Sequence, residues 1–221
     1  MELRSLALLV STTGPDYKVM PTTLDGKRTV LFCCHMMNDI VAPNGKLQVL
    51  AKLATEQGIP AKVAKAQKAA RDAGVSVWHL QSFHRVGYPE YGPNPPEQSQ
   101  QLMEVKALLE GSLGDDFIDE CKPLEGEVVI RYPGVCCVGN SDLVQELNAW
   151  DKNTVVLCGV STGSVILGHT SALKDLAYRV VIIGDCCSAR SWEEHNFLLS
   201  KVLTQWATIT SLEYFMEALK K

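Results

Sequence analysis

Short apolar, β-branched runs recur along this chain, separated by amphipathic stretches, and that alternation restricts the fold more than any other feature. A strand covered on both faces reads as a continuous apolar run, whereas a half-exposed strand alternates with polar residues. Continuous runs separated by helix-length segments point to a mainly parallel sheet wrapped by helices, an α/β architecture of three layers. Thr29 to Cys34 reads as such a strand, and further strands are expected over 75–81, 127–131, 154–159, 179–184 and 208–210. Between them, Val63, Ala66, Ala70 and Ala73 fall at helical spacing in 60–73, and Gly74 supplies the C-terminal stop. Helices are likewise expected over 141–150, with Ser141 as N-cap, and over 164–177, 192–206 and 212–219. The Gly-, Pro- and Tyr-rich stretch 83–96 reads as a loop past a strand end.

The chain has 221 residues, 46% of them apolar, which is enough for one substantial core. A single domain over 1–221 is expected, with 1–24 as an N-terminal strand or packed arm and 25–221 as the core. The apolar start, Met1 to Val10, is too short to span a bilayer and lacks a small-residue cleavage site. The formal charge of −4 comes from interspersed acidic and basic residues, so neither nucleic acid nor a membrane is expected as a partner. Eight cysteines include three vicinal pairs, Cys33-Cys34, Cys136-Cys137 and Cys186-Cys187. Neighbouring cysteines rarely bridge one another, most of these sit in apolar runs, and no C-x-x-C spacing offers a zinc site. A reducing, cytoplasmic setting is the expectation.

In an open parallel sheet, ligands bind beyond the carboxyl ends of the strands, near the switch in strand order. The residues there carry a family likeness. Cys34-His35-Met36-Met37-Asn38-Asp39-Ile40, followed by Pro43-Asn44-Gly45, resembles the Asp-Met-Gln-Asn-Asp-Phe opening of the isochorismatase-like hydrolases. Val75 to Gln81, with His84-Arg85 and Gly87 to Tyr91, is similar to that family's second strand and following loop. Gly159-Val160-Ser161-Thr162-Gly163-Ser164-Val165 resembles its Gly-Val-x-Thr-x-x-Cys motif, and Tyr178 to Asp185 its Gly-Tyr-x-Val strand. The likeness runs in unbroken order over about residues 25 to 200.

The resemblance implies an isochorismatase-like doubly wound fold, a small-molecule substrate, no cofactor and a homo-oligomer, dimer or tetramer. It also implies a cis peptide near Val160-Ser161. The family's usual chemistry uses a cysteine nucleophile, an aspartate base and a lysine. By this alignment those positions hold Val165, His35 and Arg131. A valine has no nucleophile to offer, so covalent thiol catalysis by the usual route is excluded. True isochorismatases of siderophore and phenazine pathways have glycine at that position and work by acid catalysis from the aspartate.

His35 and Arg131 are therefore the candidate catalytic residues. Histidine transfers protons near neutral pH, and arginine forks onto a carboxylate or oxyanion without titrating. The bland alternatives are a satisfied buried histidine and an ordinary salt bridge. Gln81, His84, Cys137, Ser161, Thr162, Ser164 and Val165 are the candidate substrate contacts; capping is the ordinary role for the hydroxyls and packing for the thiol. No metal is expected, because the loop after the second strand offers one histidine rather than a ligand set. Two functions stay open beside conventional hydrolysis by a displaced thiol such as Cys137. One is non-covalent acid–base catalysis on a compact carbonyl- or carboxylate-bearing metabolite, by hydrolysis, a lyase step or a proton-transfer cyclisation, as suits specialised metabolism. The other is a non-catalytic relative kept for binding or assembly.

Overall fold

The computed structural model describes residues 14–220. The strand or arm expected in the first ten residues lies outside that range. Among the described residues six strands form one sheet: β1 (Thr29–Cys34), β2 (Ser76–Ser82), β3 (Val128–Tyr132), β4 (Thr154–Val160), β5 (Arg179–Ser188) and β6 (Thr208–Thr210). Every pairing is parallel and the order is β3-β2-β1-β4-β5-β6. The helices are α1 (Asn38–Val41), α2 (Gln48–Glu56), α3 (Ile59–Asp72), α4 (Glu97–Glu104), α5 (Leu143–Ala149), α6 (Leu167–Asp175), α7 (Trp192–Phe197) and α8 (Leu212–Ala218).

The two sides of the sheet carry separate cores, as the period-2 geometry of a strand requires. On one side Leu31, Cys33, Val77, Val156 and Ile183 meet Val63, Ala66 and Ala70 of α3 and Phe215 of α8. On the other, Phe32, Trp78, Leu80, Leu157 and Ile182 meet Leu143 and Leu147 of α5 and Leu173 of α6. β1 and β4 are buried at every position, which is why their sequences show no alternation. All eight cysteines are free, and seven of them are fully buried in these cores.

The structure departs from the sequence reading in several parts, among them the helix expected over 192–206, which is α7 followed by a π-helical segment, Leu198–Val202, and a 3-10 turn, Leu203–Gln205. Helices α2 and α4 were not expected; α4 has no buried residue at all, so it gives almost no apolar stripe to read. The helix expected from Ser164 begins at Thr162 with a π-helical turn to Ile166 before α6. β5 runs on to Ser188 past a register irregularity, where Leu157 faces Ile182 but Gly159 faces Cys187.

The sheet order reverses beside β1, whose neighbours are β2 and β4, so the loops leaving β1 and β4 part there and open a crevice. Gly159 makes the approach of the two strands possible. Its φ is +112°, and a Cβ at that position would collide with the Cys34 carbonyl.

Candidate active site

A narrow cleft of about 80 Å³ sits at this switch point. His35 follows β1, Ser82 ends β2 and His84 follows it, and Ser161, Ser164 and Val165 follow β4; all six line it. Four of these, His84, Ser161, Ser164 and Val165, were singled out in the sequence as substrate contacts. The Val160–Ser161 peptide is cis. Beyond it the Ser161 and Ser164 hydroxyls share a 2.6 Å hydrogen bond. One hydroxyl hydrogen serves that bond and the other remains to donate into the cleft.

His35 is buried, and its Nε2 lies 2.5 Å from the Tyr132 hydroxyl. Burial, with His169 and His84 nearby, pushes the imidazole down to about 3. Burial likewise raises the Tyr132 phenol above its ordinary range. The contact therefore joins two neutral groups at neutral pH. His84 makes the second imidazole–phenol pair, with Nε2 3.0 Å from the Tyr91 hydroxyl, and Tyr91 also lines the cleft. The Glu90 carboxylate stands 3.9 Å from His84 Nδ1. Burial lowers the His84 pKa and Glu90 opposes that shift.

Arg131 is not brought to His35. Gln81 pairs with Arg131 across β2 and β3, one row beyond Leu80 and Ile130, and Cys34 pairs with Leu80. Simple alternation would point His35, Gln81 and Arg131 to one side. His35, however, has φ +53°, which ends the alternation of β1, and its ring meets Tyr132, the neighbour of Arg131 on the opposite face of β3. Arg131 instead donates to Asp115 at 3.1 Å and Glu110 at 3.3 Å, over the ring of Phe83. Gln81 donates to the Asp115 carbonyl at 2.7 Å, so it too belongs to this second cluster rather than to the cleft.

Two further candidates lie behind the cleft wall. Thr162 is fully buried; its hydroxyl is 3.1 Å from the Ser188 carbonyl and 2.9 Å from His195 Nδ1. Cys137 is also fully buried and faces His169 Nε2 at 3.0 Å. The His169 Nδ1–H donates to the Val165 carbonyl, which leaves Nε2 to accept from the Cys137 amide and thiol. Burial pushes the Cys137 thiol up to about 12, so the arrangement holds it protonated. Tyr91, in the cleft, and Tyr132, against His35, are two site residues the sequence reading did not name as candidates. The period-2 count from Arg131 was the available signal for Tyr132; Tyr91 had none beyond lying in the loop. Among the described residues no cluster of three or more His, Cys, Asp or Glu is arranged to hold a metal, and no helix is long and apolar enough to cross a membrane.

Known proteins share both the sequence and the fold. Ureidoacrylate amidohydrolase RutB of Stutzerimonas stutzeri is 26% identical over 214 residues, covering 90% of this chain and 85% of its own length. Among solved structures, a cysteine hydrolase from Pseudomonas syringae superposes with a TM-score of 0.80 at 18% identity, covering 92% of this chain and 97% of that one. N-carbamoylsarcosine amidase from Thermoplasma acidophilum superposes with a TM-score of 0.65 at 21% identity, over 84% and 97% of the two chains. The family model for the isochorismatase domain matches residues 29–214, which takes in all six strands and every cleft residue described above. The chain belongs to the isochorismatase family.

Proposed function

We propose that this isochorismatase-family chain is an enzyme acting on a small carbonyl- or carboxylate-bearing metabolite by non-covalent acid–base chemistry, with His35 as the proton-handling group. The observation that carries the reading is the 2.5 Å His35–Tyr132 contact, beside a cleft whose wall at the position expected to hold cysteine is Val165. A neutral imidazole takes up a proton from a water or from the substrate. That creates a cation in a dry site, where it is stabilised only by charge developing on the substrate. A carbonyl oxygen becoming anionic supplies that charge, and the spare hydroxyl hydrogen of the Ser161–Ser164 pair donates to it. In this reading Tyr132, not Arg131, is the partner that orients His35. Arg131 holds Asp115 and with it the loop that covers Gln81.

The names of the two amide-cleaving relatives make a carbonyl bonded to nitrogen the first substrate type to try. Hydrolysis by an activated water, a lyase step and a proton-transfer cyclisation all use the same groups. The test is turnover of small amides, ureido acids and enol ethers by the protein and by His35→Ala. A fall of about 10²- to 10⁴-fold is expected, and unaltered activity would sink the proposal. A second reading, a non-catalytic binding or assembly protein, is favoured by one observation: His35 and Tyr132 already satisfy each other at the back of a very small cleft. It predicts no turnover of any panel member by the unmodified chain.

A further inference from the structure

The inner cleft is too small for a whole metabolite. Sites for small molecules usually enclose roughly 300–1,000 Å³, whereas this one offers about 80 Å³. It has room for a reacting group and little else. A second cavity of about 300 Å³ continues outward from it, between α2 and α4, and the two share Leu47, Leu50, Gln98 and Leu102 in their walls. The outer cavity adds Val49 and Val105, which are 62% and 45% exposed. Exposed valines on both helices facing one cavity leave apolar surface in water at the mouth of the cleft.

Two cations stand on the rim of the outer cavity, and both are engaged. Lys46 donates to the Lys106 carbonyl at 2.7 Å and lies 3.8 Å from Asp39. Arg190 makes hydrogen bonds of 3.1 and 3.2 Å to the Glu194 carboxylate. A charged substituent entering here meets no unengaged cation, only the neutral amide of Gln98, while an aliphatic one meets Leu47, Leu50 and Leu102. We infer that the substrate is a carbonyl compound carrying an uncharged, apolar tail, with the carbonyl in the inner cleft and the tail between α2 and α4. This rests on the proposed function for the identity of the cleft. It adds the chemical class of what lies outside it.

Straight-chain methyl ketones from four to ten carbons are suitable probes, because they carry the carbonyl and cannot be hydrolysed. Their dissociation constants are measured by calorimetry on the unmodified protein. Each added methylene should tighten binding about fourfold, the factor that corresponds to ~0.8 kcal/mol per buried methylene, until the outer cavity is full. Val49→Glu with Val105→Glu should flatten that ladder to less than about twofold per methylene, and Leu176→Glu, on exposed apolar surface elsewhere, should leave it intact. Ketones that bind equally at all lengths, or not at all, overturn the inference. So does a ladder that survives the double substitution, because the tail then lies elsewhere. Light scattering covers a further outcome: a dimer that the double substitution splits, with no ketone ladder, would make this strip a contact between copies and overturn the inference. The ladder is read without turnover. Loss of the ladder with a His35-dependent reaction intact removes only the tail; a ladder without His35-dependent turnover removes only the catalytic reading.

Discussion

At the scale of single residues, the contrast between Arg131 and Tyr132 matters most. They are neighbours on β3, yet one faces the buried Asp115 and the exposed Glu110 and the other the buried imidazole. Tyr132→Phe removes only the hydroxyl, leaves His35 Nε2 without its partner and should lower kcat/KM by about 10- to 100-fold. The cost in stability should be about 1–2 kcal/mol, that of a buried hydrogen-bonding group left unpaired. Arg131→Ala should cost about 1–3 kcal/mol, because it takes a partner from the buried Asp115 carboxylate although Arg131 itself is part-exposed, and should change kcat/KM less than about threefold. Steady-state kinetics on the two variants decide between them: if Arg131→Ala is the damaging one, the pairing of His35 with Tyr132 is the wrong account of the site. Sequence alone pointed to both His35 and position 131, because one follows and the other ends an expected strand of the sheet. The positive φ of His35, which decides which neighbour it meets, has no signature in the residue letters.

At the scale of elements, the cleft depends on β1 and β4 lying close at the sheet's reversal. Gly159→Ala puts a methyl against the Cys34 carbonyl at a φ that L-residues avoid. The strain and the overpacking together should cost roughly 2–4 kcal/mol, read as a lower urea midpoint with an unchanged m-value. Retained stability would mean that the strands shift apart, and the cleft geometry would have to be revised. The strands themselves were legible to within a residue, apart from the last four residues of β5, because burial on both faces leaves continuous apolar runs. Helices α2 and α4 were not. Leu47, Leu50, Ala51, Leu53 and Ala54 do carry a helical stripe that the reading passed over. α4 is mostly polar, with Leu102 as its partly buried hydrophobic packed against the core.

At the scale of the whole molecule, all five histidines are buried: His35, His79, His84, His169 and His195. Burial lowers the pKa of each, to about 3 for His35 and about 4 for His169 and His195. The unfolded chain protonates them near 6.5 and the folded chain at lower pH, so stability is present above about pH 6.5 and is lost as pH falls toward 4. Each fully displaced group contributes a slope of about 1.4 kcal/mol per pH unit. His35, His169 and His195 together therefore give about 4 kcal/mol per pH unit near pH 5. Urea melts at pH 7, 6 and 5 should trace that fall. A midpoint that stays constant from 7 to 5 would show that the buried imidazoles are hydrated enough to titrate normally.

The sequence by itself determined the layered parallel fold, the family motifs and the valine where a nucleophile was expected, because strand burial and motif order are written along the chain. Only the tertiary structure decided which of those residues share a site. It sent Gln81 and Arg131 to Asp115, put Thr162 and Cys137 behind the wall, and brought His35 to Tyr132 across 97 positions of sequence. Side-chain direction at a strand end depends on a single backbone angle, and contact between distant segments depends on how the sheet is wound. Neither is a property of the local sequence.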